Sequence, residues 1–199
     1  MSRHPLSRKA AAGAPSARNR VRIIGGEWRR RWLDFPAVEG LRPTPDRVRE
    51  TLFNWLGQEL DGMTCLDLFA GSGALGFEAH SRGAAQVVMV ERDRQAMRAL
   101  RDNAAKLGAQ RLELHESDAL PFLARETRCF DVIFLDPPFH ALLLPLLFPL
   151  LEKRLTPRGL VYAESGHPLE ADVTGAGWCI RRTGRAGKVF HYLLEREAP

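Results

Sequence analysis

Residues 63–76 read Met-Thr-Cys-Leu-Asp-Leu-Phe-Ala-Gly-Ser-Gly-Ala-Leu-Gly, a buried-strand pattern that runs without a break into a glycine-rich turn and the start of a helix. Gly71, Gly73 and Gly76 fit G-x-G-x-x-G, in which one glycine allows a tight turn, one lets backbone approach a ligand, and one lets helix pack on strand. A nucleotide-like ligand belongs at such a turn. The spacing alone suits a dinucleotide, a methyl donor, or a turn that binds nothing.

The pattern that follows is strict alternation. Strands are predicted at 63–69, 86–91, 111–115, 130–135 and 158–163, and helices at 73–82, 94–107, 119–127 and 141–154. Short apolar runs alternating with amphipathic helices imply an α/β fold, a parallel sheet with helices on both faces. The tail breaks the pattern. Residues 164–177 have little helical periodicity, and Trp178–Thr183, a turn at Gly184–Gly187 and Val189–Glu195 read as a closing antiparallel hairpin. At 199 residues and 45% hydrophobic, the chain suits one domain with a full core plus an appendage. The longest apolar run, Ala141–Leu151, is broken by Pro145 and Pro149 and falls short of the roughly 20 residues that span a bilayer. The basic N-terminus has no apolar segment behind it and so is not read as a signal peptide. Cys65, Cys129 and Cys179 are far apart with no C-x-x-C, which argues against a zinc site or any disulfide framework and places the chain in a reducing cytoplasm. Cys65 and Cys129 lie in apolar segments and read as core thiols.

Charge is unevenly spread. Residues 1–31 carry nine Arg or Lys and one acid, net +8, whereas the whole chain is +5, so the remainder is −3. A basic arm on a mildly acidic body suits a polyanionic partner, a solvated tail being the bland alternative. Residues 1–20 read as a disordered arm and residues 21–36 as a basic hairpin turning at Gly25-Gly26. Within the hairpin, Arg22, Arg29, Arg30 and Arg31 interleave with Trp28 and Trp32, guanidinium forks for phosphates beside indoles for exposed bases. Residues 37–199 form the remaining domain. Its first helix follows Leu41-Arg-Pro-Thr-Pro, with Thr44 or Asp46 as cap and Val48, Leu52, Phe53, Trp55 and Leu56 as its buried stripe. Arg47 and Arg49 fall on its more polar side, facing substrate or plain solvent.

In an open parallel sheet, ligands bind beyond the carboxyl ends of the strands. Glu91 ends the second predicted strand, placed to accept from two ribose hydroxyls, and Asp118 follows the third, placed either to accept from an adenine amine or to cap a helix. The fourth strand ends Asp136-Pro137-Pro138-Phe139. An acid after five core-like residues is costly without a task. Its side chain and the Pro137 carbonyl can each accept one N–H of a planar exocyclic amine while Phe139 stacks on the ring. The amine lone pair then turns out of conjugation, which is catalysis by positioning. Hydride transfer has no use for that arrangement.

Asp67-Leu-Phe-Ala-Gly-Ser-Gly together with Asp136-Pro-Pro-Phe resembles the class I S-adenosylmethionine-dependent methyltransferases that act on exocyclic amines. Adding Arg22-Ile-Ile-Gly-Gly-Glu-Trp-Arg and Leu41-Arg-Pro-Thr-Pro-Asp-Arg-Val-Arg-Glu-Thr-Leu-Phe-Asn-Trp, the chain from Val21 onward is similar to the RsmD family, bacterial guanine-N2 methyltransferases of small-subunit ribosomal RNA. The resemblance implies a Rossmann-like, mostly parallel seven-stranded sheet and a 16S rRNA substrate, free or in an assembling 30S particle, acted on by a monomer without a metal. It implies S-adenosylmethionine held by Asp67, Gly71 and Gly73 at its methionine end, with Phe69, Ala70 and Ser72 also in the donor site. Glu91 and Arg92 would lie at the ribose and Asp118 and Ala119 at the adenine. Asp136, Pro137, Pro138 and Phe139 would hold the flipped guanine. Methylation of an adenine or cytosine amine in DNA, of another RNA, or of a protein glutamine amide uses related motifs and stays open.

Overall fold

The predicted strands at 63–69, 86–91 and 130–135 are largely apolar on both faces, and the reason is visible in a computed structural model, which describes residues 18–38, 41, 43–138, 143–173 and 176–197. An antiparallel ribbon, β1 (Arg18–Arg22) with β2 (Trp32–Pro36), precedes α1 (Asp46–Leu56). The alternating body follows: β3 (Thr64–Asp67), α2 (Ala74–Ser81), β4 (Gln86–Glu91), α3 (Arg94–Leu107), β5 (Leu112–Glu116), α4 (Ala119–Arg125) and β6 (Phe130–Leu135). Then come α5 (Leu144–Leu151), a 3-10 turn, β7 (Leu155–Ser165), a one-turn α6 (Glu170–Val173), β8 (Trp178–Ala186) and β9 (Val189–Arg196). Seven strands form one sheet in the order β5-β4-β3-β6-β7-β9-β8; β3 to β7 are parallel, and β9 runs antiparallel to both neighbours.

Successive side chains along a strand feed opposite layers. Cys65, Met89, Phe134 and Tyr162 pack under α1, α2, α3 and the ribbon, while Leu66, Val90, Ile133 and Ala163 pack under α4, α5 and α6. Both faces of the central strands are therefore dry and show little polar alternation, whereas the edge strand β5, Leu-Glu-Leu-His-Glu, keeps it.

Several expectations change. Arg18, Asn19 and Arg20 belong to β1 rather than to the arm, whose residues 1–17 lie outside the described set. Gly25-Gly26 is not a hairpin turn. Residues 23–31 form a longer loop, and a Cβ on Gly26 would sit 1.8 Å from the Ser81 carbonyl oxygen, so the glycines let the loop press against the end of α2. Neither Thr44 nor Asp46 caps α1, whose N-cap is Pro45. Asp46 is instead engaged by Arg49 and Arg22, and the Thr44 hydroxyl is turned to the carboxyls of Asp136 and Glu164. Helix α5 ends at Leu151, and the turn of the last hairpin is Gly187-Lys188, because Gly184, Arg185 and Ala186 pair within the sheet. Cys65 is buried as expected, but Cys129 precedes β6 and is exposed.

Candidate active site

Strand β3 ends at Asp67, 2% exposed, whose Oδ2 accepts the Gly76 N–H at 2.9 Å. Burial raises its pKa from 3.8 to about 7. The three glycines of the loop do different work. A Cβ on Gly76 would meet Met89 of β4 at 2.8 Å, so its absence seats α2 on the sheet; Gly73 has φ +80 and lies against Phe77 and Leu100. Gly71 has φ +51, and the nearest atom to an added Cβ is 3.8 Å away, so this is the glycine that leaves room above the loop. The Ala70 N–H donates to the Val90 carbonyl at 2.9 Å, and buried Ser72 accepts the Ala74 N–H at 3.3 Å. Phe69 is half-buried.

At the end of β4, Glu91 uses one oxygen to accept the Gly71 N–H at 2.8 Å and the other to accept the Asp93 N–H at 2.7 Å. The carboxylate is thereby aimed at the glycine loop, with a lone pair left on each oxygen. Asp118 makes no capping bond to α4; it is exposed and faces Arg92 at 3.8 Å, while Ala119 is buried in the first turn of α4. Strand β6 delivers Asp136, half-buried, then buried Pro137 and exposed Pro138. Phe139 lies outside the described residues. The strand order β5-β4-β3-β6 sets Asp118, Glu91, the Asp67–Gly71 loop and Asp136 in a row along one edge of the sheet. Strand order reverses at β3/β6, where an open α/β sheet forms its ligand crevice.

Sequence reasoning missed Glu164. Ala163 pairs with Leu135 in the β6/β7 register, so Glu164 stands beside Asp136. It is 4% exposed and accepts the Tyr162 hydroxyl at 2.8 Å. Burial raises the pKa of both acids, and Glu164 and then Asp67 push Asp136 further up. The signal was present: Glu164 is an acid closing an apolar strand, as Asp67, Glu91 and Asp136 are.

The proposed nucleic-acid contacts divide. Arg22, Arg29, Arg30, Arg31, Trp32 and Arg47 are exposed. Trp28 is not, being 4% exposed and stacked on His80 with ring centroids 4.2 Å apart. Arg49 is fully buried, donating to Glu78 Oε2 at 3.3 Å, the Thr44 carbonyl at 3.1 Å and the Arg22 carbonyl at 2.9 Å. Both are structural, because a planar ring and a five-donor fork fill a buried, carbonyl-rich seam better than they serve an open surface. The loop carrying Arg29, Arg30 and Arg31 is tied to Lys106 at the C-terminal end of α3 and to Ser81 at that of α2. Helices here run opposite to strands, so this loop lies across the molecule from Asp136. The 14 residues of α3 separate the two ends by about 20 Å.

A seven-stranded sheet of this order, with its one antiparallel member inserted beside the edge and a glycine loop after the first parallel strand, is the class I methyltransferase architecture. Residues 21–195 match the family described as Conserved hypothetical protein 95, and the chain belongs to that family. It is 44% identical over 185 residues to Ribosomal RNA small subunit methyltransferase D of Escherichia coli K12, covering 92% of this chain and 93% of that one. Against the protein of the same name from Haemophilus influenzae it is 41% identical over 189 residues, covering 91% and 96%. The solved "Putative methyltransferase yhhF from Escherichia coli" superposes with a TM-score of 0.79 at 44% identity, covering 91% of this chain and all of that one.

Proposed function

We propose that this chain transfers a methyl group from S-adenosylmethionine to the exocyclic N2 amine of a guanine in small-subunit (16S) ribosomal RNA. The observation that carries the reading is the juxtaposition of the Gly71 loop and Asp136-Pro137-Pro138 on adjacent strands β3 and β6. The names of its close relatives supply the RNA.

The donor's shape fits the row of strand ends. Open space over Gly71 and the buried Asp67 carboxyl suit its methionine end, flanked by Phe69, Ala70, Ser72 and Gly73. Glu91, with two lone pairs spare, suits the ribose diol beside Arg92, and Asp118 with Ala119 suits the adenine. When bound, the donor supplies an activated methyl on a sulfonium, so the protein has only to position and desolvate the amine. Asp136 and the Pro137 carbonyl would take its two N–H bonds, and Pro138 keeps the turn stiff. N2 of a paired guanine is out of reach, so the base must be extruded, which costs least in a loop or end.

The test is transfer of labelled methyl from S-adenosylmethionine to 16S RNA, naked and in 30S particles, followed by nucleoside analysis. N2-methylguanosine is expected. Label in another nucleoside, or none in either substrate, would overturn the assignment.

A further inference from the structure

Two carboxyls are packed together at the sheet edge, and among the described residues no cation is paired with them. Asp136 is half-buried and open to a substrate; Glu164 lies behind it, buried. The groups acting on them are two neutral hydroxyls, Tyr162, 2.8 Å from Glu164 Oε1, and Thr44, hydrogen-bonded to the pair, and a third acid, Asp67. Two neighbouring carboxyls, Glu164 buried and Asp136 half-buried, disfavour joint ionisation. Among the described residues, the surrounding elements add no charge of the needed sign. From β9, His191 stands opposite Glu164 in the register but stacks on Trp55, and burial lowers its pKa, so it stays neutral. His167, beyond the end of β7, is turned to Asp172 at 3.5 Å.

We propose that Glu164 is a positioning residue for the reaction: it shares one proton with Asp136, and the pair, carrying a single negative charge, receives the proton that the target amine gives up. This rests on the methyltransferase reading above. The N2 lone pair forms the N–C bond as the methyl–sulfur bond breaks, its electron pair staying on sulfur. The nitrogen, now positive, passes one N–H proton to the Asp136 carboxylate. Both carboxyls are then neutral, and one proton is returned to water before the next turnover. Asp136 touches the substrate; Glu164 and Tyr162 act through it, by setting the proton affinity of the pair.

Two near-isosteric variants should each raise that affinity by weakening the singly charged pair. Glu164→Gln takes away the acid whose proton is shared with the Asp136 carboxylate, so the acid limb of the single-turnover methylation rate, which is the protonation of the singly charged pair, should shift to higher pH. Tyr162→Phe removes a donor to the ionised pair, so the limb should shift to higher pH. A structural role alone would lower the rate at all pH values and leave the limb in place. A shift to lower pH in Glu164→Gln, as repulsion from an ionised Glu164 would give, or no shift in either variant, overturns the proposal. Carbon-13 NMR titration of the Asp and Glu carboxyls in the donor-free protein reads the pair without RNA. Two carboxyls titrating together well above the ordinary range support it, and separate titration below pH 5 overturns it. Failure of the functional reading shows differently, as wild-type protein that transfers no label to 16S RNA at any pH.

Discussion

Asp136 and Asp67 are both acids at the ends of buried strands, and their surroundings give them different work. Asp136 is open enough to meet an amine. Asp136→Ala is expected to lower the methyl-transfer rate by a factor of about 100 or more, the usual cost of losing a preorganised partner of the reacting group. Donor affinity by calorimetry should stay within a few-fold, since Asp67, Glu91 and the glycine loop are untouched; retained turnover would remove Asp136 from its role. Asp67 is sealed, with its pKa raised to about 7. An acid raised in the folded state contributes stability that is fully present below its free value near 3.8 and lost as pH rises through about 7. Asp67→Asn should therefore be more stable relative to the parent at pH 8 than at pH 5, by about 3 kcal/mol, in urea unfolding of the donor-free protein. An equal effect at both pH values would mean that Asp67 is ionised throughout.

A buried acid is one of the groups that tie the ribbon β1–β2 and its loop to the body, alongside Ser81 and Asn103. Glu78 of α2 accepts the N–H groups of Ile24 at 2.9 Å and Gly25 at 2.7 Å, and pairs with Arg49 at 3.3 Å and Arg82 at 2.8 Å. Val21, Ile23, Trp28, Leu33 and Phe35 bury their side chains in the same core layer as α1, α2 and α3. The ribbon is thus part of the domain, and cutting it off would expose that core. Removing one partner from a buried ion pair strands the other, at about 3–5 kcal/mol. Glu78→Gln and Arg49→Met are each expected to destabilise by that order in chemical unfolding, with faster hydrogen exchange at Ile24 and Gly25. A loss below about 1 kcal/mol would show that water replaces the network.

Across the whole molecule, the reacting edge and the exposed arginines of the 23–31 loop lie at opposite ends of α3, about 20 Å apart. An RNA that reaches both must be gripped by its backbone far from the flipped base. Replacing Arg29, Arg30 and Arg31 by Ala is expected to weaken RNA binding and to reduce the slope of log affinity against log salt by about 2, while donor affinity holds. Unchanged slope would make these arginines a solvated surface. The order of strands, the glycine turn and the acids at strand ends were legible in the sequence because they depend on local rules: apolar runs of strand length, amphipathic helices, φ > 0 at glycine, and the cost of a charge closing a core strand. Glu91 and Asp136 could be placed at one edge by topology alone. Side-chain burial across elements could not be read that way. Arg49 and Trp28 look like surface groups until Glu78 and His80, 29 and 52 residues further along, are brought against them. Glu164 becomes part of the site only when β7 pairs with β6. Those partners are distant in the chain, and the free energy of burying a charge or a ring is decided by what touches it, which only the tertiary structure determines.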